Sequence, residues 1–132
     1  MKVIFTNGCF DVLHRGHLEL FQFARTLGDK LIVGIDSDVK VRRDKGFGRP
    51  INNIKERKFM LESIKWIDEV HVFQDTKGLE MLVKSISPDI MVLGSDWKDK
   101  TIIGKQYAKE VKYFDRIEGH STTQIIESFA NR

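Results

Sequence analysis

Residues 3–24 constrain this chain more than any other stretch. An apolar run, Val3-Ile4-Phe5, reads as a strand. It leads through Thr6-Asn7-Gly8-Cys9-Phe10-Asp11-Val12-Leu13 into His14-Arg15-Gly16-His17. Leu18-Glu19-Leu20-Phe21-Gln22-Phe23-Ala24 then reads as a helix. A helix N-terminus offers free backbone N–H groups and the positive end of a dipole, and both favour phosphate. Two imidazoles three residues apart near that end fall on one face. The constellation suits holding and neutralising a polyphosphate.

The rest of the chain alternates between strand and helix. Strands are expected at 2–7, 31–36, 70–73, 90–93 and 111–114. Runs such as Leu31-Ile32-Val33-Gly34-Ile35 and Ile90-Met91-Val92-Leu93 are apolar on both faces, as buried parallel strands are. Helices are expected near 16–27, 53–65, 78–86 and 121–130. Gly28 stands where a C-cap would, and Ser121-Thr122-Thr123-Gln124 has a capping-box pattern. Pro88-Asp89 separates a helix from a strand. The alternation predicts one domain over 1–132: a Rossmann-like, doubly wound, five-stranded parallel α/β sheet with its ligand outside the carboxyl ends of the strands. The charged segment 38–52 carries Gly46, Gly48 and Pro50 and is expected to be a mobile loop over the site. Neither the dinucleotide fingerprint nor a Gly-Lys-Ser/Thr phosphate loop occurs.

A length of 132 residues fits one core, and a lone cysteine excludes an internal disulfide framework. No apolar run approaches the roughly 18 residues that span a membrane. These features point to the cytoplasm. The net charge of +3 is mild, and the basic residues Arg42, Arg43, Lys45 and Arg49 are local. That favours a small polyanion over nucleic acid. Asp11 is expected to fix its loop by accepting backbone N–H bonds rather than to bind metal. Cys9 reads as a small half-buried residue rather than a nucleophile. The two histidines supply only two zinc ligands, and Cys9, His71 and His120 add none at metal spacing. Trp66 reads as packing, whereas Trp97, after Gly94-Ser95-Asp96 at a strand's carboxyl end, is a better candidate to line a pocket.

The His-x-Gly-His pattern after the Gly8-Cys9-Phe10-Asp11 turn resembles the cytidylyltransferase-like nucleotidyltransferase family. Arg116-Ile117-Glu118-Gly119-His120-Ser121-Thr122-Thr123 resembles that family's second phosphate motif, and the resemblance covers the whole chain. Two branches compete. Glycerol-3-phosphate cytidylyltransferases are similar at 116–123 and where Glu56-Arg57 leads into Ile67-Asp68-Glu69-Val70. Lys65 stands where they often carry a nucleotide-contacting arginine. The adenylyltransferase domain of heptose-phosphate enzymes in lipopolysaccharide synthesis is similar at Thr6–Asp11, at Leu31–Asp38 and at Lys45-Gly46 with Arg49-Pro50-Ile51-Asn52. It is similar again at Gly94-Ser95-Asp96 and Ile103-Gly104.

The resemblance implies attack of a phosphomonoester on the α-phosphorus of a nucleoside triphosphate, with pyrophosphate leaving and no covalent intermediate. Such a reaction needs positioning and charge neutralisation rather than a strong base. His14 and His17 are then expected to contact the triphosphate, with Gly8, Cys9, Phe10 and Gly16 against the nucleotide. Lys45 is expected to clamp the α-phosphate or the acceptor phosphate. Arg116, Gly119, Ser121 and Thr122 would hold the β- and γ-phosphates. Lys65 and Asp96 are further nucleotide candidates, and Lys77 an acceptor candidate. The family also implies Mg²⁺ carried on substrate oxygens, with no protein metal ligands, and a homodimer. The 116–123 match favours CTP, joined to glycerol 3-phosphate, a sugar phosphate or a phosphonate to make an activated head group for a surface polymer. The alternative is ATP-dependent adenylyl transfer to heptose 1-phosphate. From another class, a non-catalytic nucleotide-binding regulator is a third reading.

Overall fold

The apolar runs Val3-Ile4-Phe5, Leu31–Ile35 and Ile90–Leu93 all become strands. The computed structural model describes residues 1–115 and Ile126. Its strands are β1 (Val3–Gly8), β2 (Lys30–Asp36), β3 (Glu69–Phe73), β4 (Ile90–Gly94) and β5 (Glu110–Phe114). All pair in parallel, in the order β3-β2-β1-β4-β5. The chain winds outward from β1 to β3, then crosses back to β4 on the other side of β1. The crevice between the carboxyl ends of β1 and β4 is therefore the switch point where this architecture receives ligands.

Alternation along the strands divides the core in two. On one face Ile4, Leu31, Val33, Ile90 and Val92 pack with Phe21 and Ala24 of α1 (Arg15–Thr26). The same layer includes Leu61 of α3 (Ile54–Glu62). On the other face Phe5, Ile32, Phe73 and Met91 meet Leu79 and Val83 of α4 (Thr76–Ile86). All five residues of β4 are buried, which explains their unbroken apolarity. Among the described residues no helix is long and apolar enough to cross a membrane.

Four expectations need correction or lie out of reach. The segment 38–52 is not one loop, because Asp38–Lys45 forms helix α2. Ser37 caps it, its hydroxyl accepting from Lys40 N at 3.2 Å, and Arg42, Arg43 and Lys45 in the last turn complement the dipole. Only Val41 of α2 is buried, so no apolar period announces it. Helix α4 begins at Thr76, two residues earlier than expected, because Asp75 caps it by accepting from Gly78 N at 2.7 Å. The first helix ends on Leu27 in right-handed geometry, so Gly28 is not a left-handed cap. A Cβ at Gly28 would lie 2.7 Å from Lys2 O and 2.9 Å from the Ile4 side chain. The glycine is there to let the turn press against the start of β1. The expected helix 121–130 falls outside the described residues.

Gly28→Ala must push β1 and the turn apart. A loss of about 1–3 kcal/mol is expected, read as a lower urea midpoint at unchanged m-value.

Candidate active site

The loop after β1 is built around an aromatic ring. Phe10 adopts φ 50°, a left-handed conformation that costs a non-glycine residue energy. Its ring lies edge-on to Phe21 at 5.2 Å and to His17 at 5.4 Å between centroids. A Cβ on Gly8 would sit 3.0 Å from Phe10 Cζ. Gly8 is therefore required by the protein's own packing as well as by any close-lying ligand.

The two histidines cap α1 reciprocally. His14 is the N-cap, and its Nδ1 accepts from Gly16 N at 3.0 Å. Nδ1 of His17, three residues on, accepts from His14 N at 3.3 Å. The rings stack with centroids 3.9 Å apart. Because both Nδ1 atoms accept, a neutral ring at either position carries its proton on Nε2. The pair is thus held in one tautomer and one orientation before any substrate arrives.

Two buried charges tie the neighbouring loops to this one. Asp11 is 1% exposed. Its carboxylate accepts from Arg49 Nε at 3.0 Å, Ile51 N at 2.8 Å and Asn52 N at 2.8 Å. Asn52 Nδ2 donates back to Asp11 O at 2.7 Å. The loop-fixing role expected of Asp11 is what the structure displays, although the loop it fixes is the one after α2. Arg57, on α3, is fully buried. Its Nε donates to Asn52 O at 2.9 Å, and its Nη1 to Cys9 O at 2.9 Å and Asp36 O at 2.7 Å. Its Nη2 donates to Asp38 Oδ1 at 2.7 Å.

These loops enclose a cavity of about 420 Å³ over the carboxyl ends of the strands. One flank is cationic or able to become so: His17, Lys40, Lys45 and Arg49. The other is mainly apolar, with Leu79, Leu93, Trp97, Ile102 and Ile103. A polyanion with an apolar or planar appendage fits such a division. Burial pushes the Cys9 thiol above its ordinary range, with Arg57 opposing and Asp11 and Asp36 reinforcing, so it is a poor nucleophile. Burial likewise raises Asp36, with Lys40 opposing. Among the described residues no three His, Cys, Asp or Glu side chains converge as a metal cage.

Of the residues singled out in the sequence, Gly8, Cys9, Phe10, Gly16, His17 and Lys45 line this cavity, as does Trp97. His14 is not in the lining and stacks on His17. Asp96 lies in a 3-10 turn, Ser95–Trp97, between the lining residues Gly94 and Trp97. Lys77 is exposed in the first turn of α4, where Thr76 reaches the cavity instead. Lys65 is not brought there at all. It precedes β3, near Asp68, whose carboxylate accepts from Leu31 N at the amino end of β2. Its ammonium sits 5.1 Å from the Trp66 ring centroid, at the end of the sheet opposite the cavity. Arg116, Gly119, Ser121 and Thr122 lie outside the described residues. Sequence reasoning gave no role to Asp36, Lys40, Thr76 or Arg57. For Asp36 the signal was available: a carboxylate ending an apolar parallel strand lies on the ligand side.

Arg57→Ala would leave three buried carbonyls without their donor, and a loss of about 3–5 kcal/mol in denaturant unfolding is expected. Arg57→Lys should fold, but a lysine cannot fork to four acceptors. Faster amide exchange at 9–11 and at Ile51 and Asn52 than in the parent, with exchange in β4 unchanged, is the expected result.

Comparison with known proteins agrees with this geometry. The chain is 51% identical over 127 residues to the bifunctional protein HldE of Helicobacter hepaticus and 48% identical over 126 residues to that of Nitratiruptor. Each match covers 96% of this chain but only 26% and 27% of the relative, so the chain spans about a quarter of their length. Among solved structures it is similar to a lipopolysaccharide core biosynthesis protein from Thermoplasma volcanium. There the TM-score is 0.73 at 25% identity, over 89% of this chain and 99% of that one. A bifunctional NMN adenylyltransferase/ADP ribose pyrophosphatase from Francisella tularensis, solved with AMP and a Mn ion, shares the fold. Its TM-score is 0.72 at 19% identity, over 98% of this chain and 42% of that one. The profile of the cytidylyltransferase-like family matches residues 5–128, and the chain belongs to that family of nucleotidyltransferases.

Proposed function

We propose that this chain transfers an adenylyl group from ATP to a heptose phosphate, releasing pyrophosphate. The observation that carries this reading is the 51% identity to bifunctional HldE across 96% of the chain. The sequence motifs leaned towards CTP and glycerol 3-phosphate, and the relatives support the adenylyltransferase alternative better. The CTP lean rested on residues 116–123, which are outside the described part of the structure.

The site's chemistry is compatible with in-line transfer. A phosphate oxygen of the acceptor attacks the α-phosphorus, a new P–O bond forms, and the bond to the bridging oxygen of pyrophosphate breaks. The nucleophile is already an anion, so no base is needed. The protein's tasks are to align two anions and stabilise negative charge on the leaving group. His17 is suited to the second task, since it lines the cavity with its Nδ1 accepting from His14 N and a neutral ring's proton therefore on Nε2. His14 supports it by stacking and by capping the helix. Lys45 and Arg49 supply the cationic flank. Mg²⁺ would neutralise phosphate charge while bound by phosphate oxygens and water, an arrangement that needs no protein cage.

The test is pyrophosphate release with Mg²⁺, pairing ATP or CTP with heptose 1-phosphate or glycerol 3-phosphate. Release with ATP and the heptose phosphate is expected. Release with CTP and glycerol phosphate would restore the other branch, and none with any pair would favour a nucleotide-binding module. His17→Ala should lower kcat on the order of 10²–10³-fold at unchanged thermal midpoint.

A further inference from the structure

Two carboxylates line a cavity otherwise furnished for anions, and only one of them is explained. Asp11 is consumed by Arg49, Ile51 and Asn52. Asp36 closes β2, paired in register with Phe73, and its side chain is 15% exposed. Its position is fixed from behind, because Arg57 Nη1 holds its carbonyl at 2.7 Å. Its nearest cation, Lys40 Nζ, stands 3.8 Å away, and that ammonium lies closer to Asp44, at 2.6 Å. Among the described residues no N–H or O–H donor is hydrogen-bonded to the Asp36 carboxylate.

A carboxylate here repels any phosphate brought beside it. It is acceptor-only, with two oxygens able to take hydrogen bonds from two hydroxyls. Phe73, the register partner of Asp36, and Thr76, three residues further on, also line the cavity, one apolar and one hydroxylic. A carboxylate, an aromatic surface and a hydroxyl together suit a polyol whose C–H face is apolar. The phosphate-seeking groups are Lys45, the last residue of α2, and Arg49 in the loop that follows, and both line the same cavity.

We propose that Asp36 determines acceptor specificity: its carboxylate accepts hydrogen bonds from neighbouring hydroxyls of a polyhydroxylated phosphomonoester, whose phosphate is turned away towards Lys45 and Arg49. The inference rests on the reading of the chain as a transferase to a sugar phosphate. It adds the group that reads the sugar. Adjacent hydroxyls then matter as much as the phosphate, because a site built to bond a substrate hydroxyl rejects the analogue that lacks it.

Calorimetric titration of the whole chain, without nucleotide, tests this separately from turnover. The probes are a heptose 1-phosphate, its monodeoxy analogues and methyl phosphate. Asp36→Ala should weaken the heptose phosphate by about 10- to 100-fold, leaving methyl phosphate unchanged or tighter. Asp36→Asn, which keeps the shape and one acceptor oxygen, should recover part of the loss, with thermal midpoints checking that both variants fold. In the parent, at least one monodeoxy analogue should bind as weakly as the intact sugar binds to Asp36→Ala. An equal loss for the sugar phosphate and methyl phosphate would overturn the assignment, as would no loss for the sugar phosphate. Asp36-dependent sugar binding without pyrophosphate release would instead overturn the transferase reading and leave the assignment standing. Turnover of a sugar phosphate with an unaltered KM in Asp36→Ala would do the reverse.

Discussion

The guanidinium of Arg57 is the point on which the site hangs. A buried charge of this kind is expensive to desolvate, and it persists because it makes four hydrogen bonds, one of them to the carboxylate of Asp38. Its acceptors come from the end of β1, the end of β2, the first turn of α2 and the loop before α3. No regular ladder could join these pieces, since strands diverge as they leave a sheet and their last carbonyls have lost their neighbours. One planar fork with fixed donor directions replaces the missing ladder. Asp11 works in the opposite sense, collecting N–H groups of the α2–α3 loop onto a buried anion. The two charges cross-link the same loops with complementary chemistry, and the cationic flank of the cavity inherits its geometry from both.

The start of α1 is capped by two imidazoles rather than by the commoner short polar side chains. Serine or aspartate would satisfy the first N–H groups of the helix as well. Histidine does so with one of its two ring nitrogens. The reciprocal bonds from Gly16 N and His14 N fix which nitrogen that is. A ring protonated on Nδ1 could no longer accept, so the cap and the donor at Nε2 stand or fall together. If the rings act on a phosphate as proposed, this preorganisation would spare the reorganisation that a freely rotating imidazole needs. The strained backbone of Phe10 belongs to the same device, since its ring braces His17 on one side and Phe21 on the other.

The sheet was legible in the sequence because buried parallel strands are apolar on both faces, and the starts of all five strands were read to within one residue. The loop from β1 to α1 was legible because glycine, helix start and paired histidines occur together. Helix α2 was not. It buries only Val41 and owes its existence to Ser37 at its head and basic residues at its tail, cues that also fit a charged loop. The role of Arg57 was hidden because three of its four acceptors are backbone carbonyls, at Cys9, Asp36 and Asn52, which leave no trace in residue type. Lys65 is a different case. It precedes a strand, and in an all-parallel sheet that puts it at the amino end, away from the ligand. The rule that located the site could have excluded it.

The cavity's two flanks are held by different forces. Polar bonds from Arg57 and Asp11 fix the phosphate-seeking side to within hydrogen-bond tolerance. The opposite wall, with Ile102 and Ile103, is held by apolar packing of the segment 102–108 against Leu79, Val83 and Met91. Apolar packing tolerates exchange of side chains of similar volume far better than a buried charge tolerates loss of a partner. The polar flank is thus constrained while the apolar wall is free to vary. One fold can then serve different nucleotides and acceptors on the same phosphate chemistry. Under the proposed transfer the histidines at the head of α1 would serve the phosphate chemistry, and the choice of base and acceptor would fall to wall residues such as Asp36 and Trp97.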